Sequence, residues 1–138
     1  MHRLETFHQS CLRRILRVRY FHHVTNEEIL RRTSLLRIRM MIGIRRLRWY
    51  GHVVRMPDGR LQKYLLDWQP RHGKRSAGAQ RITWIKCVQD DLDIISGIEG
   101  ATHQQGIVMA KDRKAWGAML RKARDIEFEQ PDPHMDGS

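Results

Sequence analysis

Residues Leu35 to Met56 read LLRIRMMIGIRRLRWYGHVVRM, with six arginines, no acidic residue and no proline. Wound as a helix at about 100° per residue, the stretch shows two apolar stripes instead of one. Leu35, Ile38, Ile42, Trp49, Val53 and Met56 form the first. Leu36, Met40, Ile44, Leu47, Tyr50 and Val54 form the second, with Gly43 and Gly51 on the same side. A helix that is apolar on two sides is expected to be sandwiched between neighbours. Its arginines then emerge at the seams, stems packed and guanidinium heads in water or on an anion. Arg37, Arg48 and Arg55 line one edge, and Arg39 with Arg46 the other. At about 1.5 Å per residue the stretch is roughly 33 Å long, enough to run through a small domain. The fold class implied is all-α, with about five helices packed around one long central helix, 35–56.

On the N-terminal side, Leu4, Phe7, Cys11, Ile15 and Val18 recur at helical spacing, so an amphipathic helix is expected over 3–19. Thr25-Asn-Glu-Glu28 reads as a capping box, with Val24 and Ile29 spaced for a hydrophobic staple. It opens a short helix from Asn26 to about Arg32, after which Thr33 or Ser34 is placed to cap the long one. On the other side, Pro57-Asp58-Gly59 makes a turn. Leu61, Tyr64, Leu65 and Trp68 then give a short apolar helical face. Residues 71 to 81, RHGKRSAGAQR, form a glycine-rich basic loop without an acid, and Arg71, Lys74, Arg75 and Arg81 suit a phosphate backbone. Helices over 82–96, stopped by Gly97, and over 105–124 follow. The four tryptophans are expected as core anchors. Domain organisation reads as a single helical domain, 1–124, with a disordered acidic tail, 125–138, that has little to bury.

Charge is distributed unevenly over the 138 residues. Residues 1–75 hold 18 basic and 5 acidic side chains, whereas 76–138 hold 8 and 10. The net charge of +11 is therefore concentrated in the half that carries the long helix. A one-sided surplus of this size favours a polyanionic partner, because neutralising phosphates releases counterions. No apolar run reaches the roughly 18 uncharged residues of a membrane span, so no membrane partner is expected. Cys11 and Cys87 stand alone on apolar faces with no Cys/His cluster. They read as buried thiols of an intracellular, reducing compartment, with no zinc site, metal or cofactor implied.

Catalytic chemistry is weakly signalled. Asp90, Asp91 and Asp93 are the densest carboxylates of the expected folded part. On a helix Asp90 and Asp91 point about 100° apart, which suits ion pairing better than a shared metal pair. Asp58 and Asp67 lack the strand pattern and the ExK continuation that a restriction-like nuclease requires. No nucleophile–base spacing appears, so the chain is expected not to be an enzyme. The candidate site is a set of backbone-gripping cations: Arg37, Arg48, Arg55, Arg71, Lys74, Arg75 and Arg81. The rival reading from another class is an interaction module that docks its apolar stripes on another protein.

Five phrases occur in order: FHQSCLRRIL (7–16), TNEEIL (25–30), RLRWYGHVVRM (46–56), GKRS (73–76) followed by Trp84, and DRKAW (112–116). The series, over residues 4 to 123, resembles the region downstream of the polymerase domain in the reverse transcriptase/endonuclease polyprotein of non-LTR (LINE-type) retrotransposons. Its most specific part is LRW-x-GHV-x-RM. The resemblance implies a helical C-terminal accessory region, following the thumb, that holds template RNA or target DNA in the nucleus. It implies the polymerase domain of a parent polyprotein as a further partner. The glycine-rich loop departs from that pattern at Ala77, Ala79 and Gln80, where relatives often carry arginine or Gly-Arg-Pro.

Overall fold

The element order follows from helical periodicities interrupted by turns and caps. In the computed structural model, residues 2–66, 68 and 83–126 are described. Every regular element among them is helical: α1 (His2–Ile15), a short 3-10 turn (Tyr20–His22), α2 (Asn26–Thr33), α3 (Ile38–Val54), α4 (Leu61–Leu66), α5 (Trp84–Ser96), α6 (His103–Lys111) and α7 (Arg113–Ile126). The all-α class is as expected. The chain divides into two units, Met1–Ile42 with Arg121 onward, and Gly43–Leu120.

In the first unit, Leu12 of α1 and Ile29 and Leu30 of α2 make a small core. Leu16, Val18, Val24 and Leu35 pack against it. Both helices end the same way. Arg17 and Ser34 adopt left-handed backbone conformations, at φ 55° and 51°. The next residues, Val18 and Leu35, donate their amides back to the Arg13 and Leu30 carbonyls at 2.9 and 3.1 Å. These are Schellman caps, in which the residue after the left-handed one folds its apolar side chain onto the helix it terminates. Ser34 therefore closes α2 instead of opening the long helix.

The expected capping box at α2 forms by half. Thr25 Oγ1 accepts from the Glu28 amide at 3.2 Å. The Glu28 carboxylate instead takes the guanidinium groups of Arg31 and Arg32, with each Nε at 2.7 Å. For that carboxylate, two positively charged guanidinium donors outweigh one uncharged backbone amide. The staple is present, since Val24 packs on the core that contains Ile29.

The long helix is shorter than the expected 35–56. Leu35 and Leu36 are spent on the end of α2 and the approach, and α3 begins at Ile38. The Glu5 carboxylate of α1 accepts from the Arg39 amide at 3.1 Å, satisfying a first-turn donor of α3.

The second unit is built on α3 from Gly43. Leu47, Tyr50 and Val53 are completely buried, as are Val88 and Leu92 of α5. Two glycines let neighbours approach closely. A Cβ at Gly51 would lie 2.4 Å from Nε1 of Trp116, and one at Gly106 would lie 2.8 Å from a Leu92 methyl. Trp116 Nε1 donates to the Leu47 carbonyl at 3.1 Å, which fixes the indole in the Gly51 notch. Arg46 of α3 reaches α5, donating to Asp91 Oδ2 at 2.8 Å and to the Cys87 carbonyl at 3.2 Å.

The helix expected over 105–124 is two helices. Asp112 is extended (ψ 99°) and ends α6, while its Oδ1 accepts from the Lys114 and Ala115 amides at 2.9 and 3.0 Å to start α7. At its other end α6 begins with a reciprocal Thr102–Gln105 capping box. Gly97 stops α5 at φ 71°, as expected. Cys11 and Cys87 are free thiols, half-buried instead of buried. No helix is long and apolar enough to cross a membrane among the described residues. The residues 127–138 of the expected tail lie outside them, and Asp125 and Ile126 belong to α7.

Candidate nucleic-acid interface

The six arginines of the Leu35–Met56 stretch, four of them within α3, do not fare alike, because burial of one stripe sorts them. Along the second stripe Leu36, Gly43, Ile44, Leu47, Tyr50, Gly51 and Val54 are buried and Met40 is half-buried. On the opposite stripe Leu35, Ile38, Ile42 and Met56 are half-buried and Val53 is buried, but Trp49 is 49% exposed, not the core anchor its size implied. One face of α3 thus looks outward, and its basic residues stay in water.

Of the expected edge, Arg48 is exposed. Arg37, in the first unit, lies 3.7 Å from the Glu27 carboxylate. Arg55, in the second, is half-buried and donates to the Ala110 carbonyl at the end of α6. Among the seven candidate cations, then, Arg48 is outward, Arg37 and Arg55 have bonds within their own units, and Arg71, Lys74, Arg75 and Arg81 lie outside the described residues.

Two residues escaped the sequence reading. Arg45 and His52 are both exposed on α3. With Arg48 they occupy positions i, i+3 and i+7, a spacing that places all three on one helical side. Trp49, at i+4, borders this side, about 40° beyond Arg45 and about 100° round the helix from Arg48. The spacing was visible in the sequence, but a helix read as sandwiched on two sides leaves no outward face to look for.

Beside this face stands a second aromatic ring. Trp84, first residue of α5, meets Trp49 edge to face, with ring centroids 5.3 Å apart and planes at 87°. Trp84 is 37% exposed, and its ring centroid lies 6.0 Å from that of Tyr50. Tyr50 itself is buried beneath, its hydroxyl 3.1 Å from His103 Nδ1. The outer ring, Trp49, thereby rests on a packed layer instead of hanging from the surface.

The carboxylates are distributed, not gathered. Asp91 takes Arg46, Asp90 takes Lys86 at 2.9 Å, and Asp93 accepts from the Ala101 amide at 2.7 Å. Asp58 pairs with Lys63 and lies at the surface. Asp67 lies outside the described residues. Among the described residues no three His, Cys, Asp or Glu side chains are grouped to hold a metal ion. An arrangement of outward cations flanking a supported indole is suited to an anion that also carries flat rings.

No family model and no solved structure matches the chain. A protein of Caenorhabditis elegans, described as transposon-derived and uncharacterized, is 32% identical over 78 residues. The likeness is to transposon-derived sequence. It covers 56% of this chain and 28% of the relative, so the chain spans just over a quarter of that protein's length.

Proposed function

We propose that this transposon-linked chain is a non-catalytic nucleic-acid-binding segment that holds the phosphate backbone of RNA or DNA. In the fuller form of this reading it is the C-terminal accessory region of a non-LTR retrotransposon reverse transcriptase. It then works in the nucleus beside the polymerase domain of its parent polyprotein. The observation that carries the reading is the outward side of α3. Arg45 and Arg48 are exposed there and bound to no carboxylate among the described residues, in a chain of net charge +11. Exposed guanidinium groups without internal acids are the groups that exchange counterions for phosphates. Arg71, Lys74, Arg75 and Arg81 extend the proposal at the level of sequence.

Anisotropy titrations of the chain with labelled RNA and duplex DNA over a range of salt, with and without magnesium, test it. A steep fall of affinity with salt is expected, shallower by about one to two log units per log unit of salt in the R45Q/R48Q variant. Flat salt dependence, or cleavage that requires magnesium, overturns it.

A second reading is favoured by one observation. Leu61, Tyr64 and Leu65 of α4, read from the sequence as a short apolar helical face, are exposed. As an interaction module the chain docks this face on a polymerase thumb or on another copy. Concentration-dependent self-association in sedimentation, lost on changing Leu65 to Lys, marks that alternative.

A further inference from the structure

Phosphate contacts alone explain the arginines but leave the tryptophan pair without a role. Leaving a large apolar side chain in water is unfavourable, and Trp49 is 49% exposed. An edge-to-face pair leaves at least one face of each ring uncovered by the other. Trp49 and Trp84 meet at 87°, so their pairing consumes an edge of one and a face of one only. Arg45 lies one helical turn before Trp49, Arg48 immediately before it and His52 almost a turn after it. These eight residues rise over only about 10 Å of helix, with Arg45 and His52 within about 60° of Trp49 around the axis and Arg48 about 100° from it.

We infer that Trp49, steadied by Trp84 and flanked by Arg45 and Arg48, is a stacking platform for an unpaired base of single-stranded nucleic acid. The inference rests on the proposed backbone binding and adds the strandedness of its ligand. Bases paired in a duplex keep their faces stacked on one another. Only an unpaired base offers a free face to an indole. Stacking of this kind tolerates any base, so the platform selects single strands over duplexes without selecting sequence. The neighbouring guanidinium groups take the phosphates on either side of the stacked base.

The test compares two probes on the whole chain: an oligothymidylate about a dozen nucleotides long, near the site sizes of single-strand binders, and an abasic deoxyribose-phosphate oligomer of equal length. The abasic probe carries the charge but no rings. The W49L substitution is expected to weaken oligothymidylate binding about tenfold and to leave the abasic probe unchanged, with W49F intermediate because phenylalanine keeps a smaller face. R45Q/R48Q is expected to weaken both probes. Equal affinity of wild type and W49L for oligothymidylate overturns the platform, as does an equal loss on both probes. If R45Q/R48Q loses affinity while W49L does not, the backbone reading stands and the platform falls. If wild type binds neither probe, both fall. Matched thermal melts and the W49F variant, which preserves an aromatic ring against Trp84, separate loss of stacking from loss of fold. A W49L effect on self-association alone, without an effect on oligothymidylate, assigns the patch to a protein partner and refutes the inference.

Discussion

Replacing Gly51 with alanine adds one methyl group at the most crowded point of the second unit. A Cβ there would stand 2.4 Å from Trp116 Nε1, 2.9 Å from Cδ1 and 3.0 Å from Cε2. Ordinary contacts between such atoms begin near 3.5 Å, so the indole must retreat by about 1 Å. It has little room, being 3% exposed, and its N–H is bound to the Leu47 carbonyl at 3.1 Å. Retreat strands that donor in the interior, at a cost of about 1–3 kcal/mol. Overpacking adds about 1–3 kcal/mol. Alanine's better helix propensity returns about 1 kcal/mol. The net is a loss of about 3 kcal/mol, or roughly 10 °C in melting temperature for a domain of this size. Urea unfolding followed by circular dichroism measures it. Combining Gly51→Ala with Trp116→Leu should cost clearly less than the two single changes together, because the collision is then gone. A Gly51→Ala protein as stable as wild type, or more stable, would refute the seating of Trp116 in this notch.

Three further outcomes follow from single contacts. Ser34→Gly should raise stability by about 0.5–1 kcal/mol, since glycine takes the left-handed conformation of the α2 cap without a Cβ penalty; urea midpoints report the sign. Asp91→Ala should cost about 3 kcal/mol by leaving the half-buried Arg46 guanidinium unpaired, whereas Arg46→Met with Asp91→Leu should cost far less, a comparison for thermal melts. Hydrogen bonds from Arg31 and then Arg32 hold the Glu28 carboxyl down at about 2, below its ordinary 4.5. Its folded value is the lower one, so its stabilisation is whole above pH 4.5 and drains as pH falls toward 2. Glu28→Gln should remove that part of the acid unfolding curve, with the carboxyl shift followed by NMR titration as a direct check.

Helical periodicity made α1, α2, α3 and α5 legible, together with Gly97 as a stop and Thr25 as a cap. The misreadings fall where two local chemistries compete for one residue. Ser34 is a good helix opener by type, yet it closes α2, because Leu35 has a core to return to only on that side. The period from Met109 through Trp116 to Leu120 continues across Asp112, so apolar spacing could not reveal a break that depends on one carboxylate capping the next helix. Thr102-x-x-Gln105 was a readable capping box that went unread. At the candidate site, arginine count and one-sidedness were visible from composition. Which arginine heads stay in water was not, because that depends on acids and carbonyls brought from elsewhere. Glu27 comes to Arg37 and Ala110 to Arg55. Arg45 and His52 were readable from spacing alone, and Trp49 was misassigned because size argues for burial without showing which side of a helix is covered.

The few acids of the basic half have a shared fate. Glu5 sits on the start of α3, Glu27 lies by Arg37, Glu28 clasps Arg31 and Arg32, and Asp58 holds Lys63. Each described carboxylate before residue 67 is thus occupied at home. Little is left over to rebuff an approaching polyanion, and heparin resin or stray cellular RNA should cling to the protein through purification until strong brine strips it away.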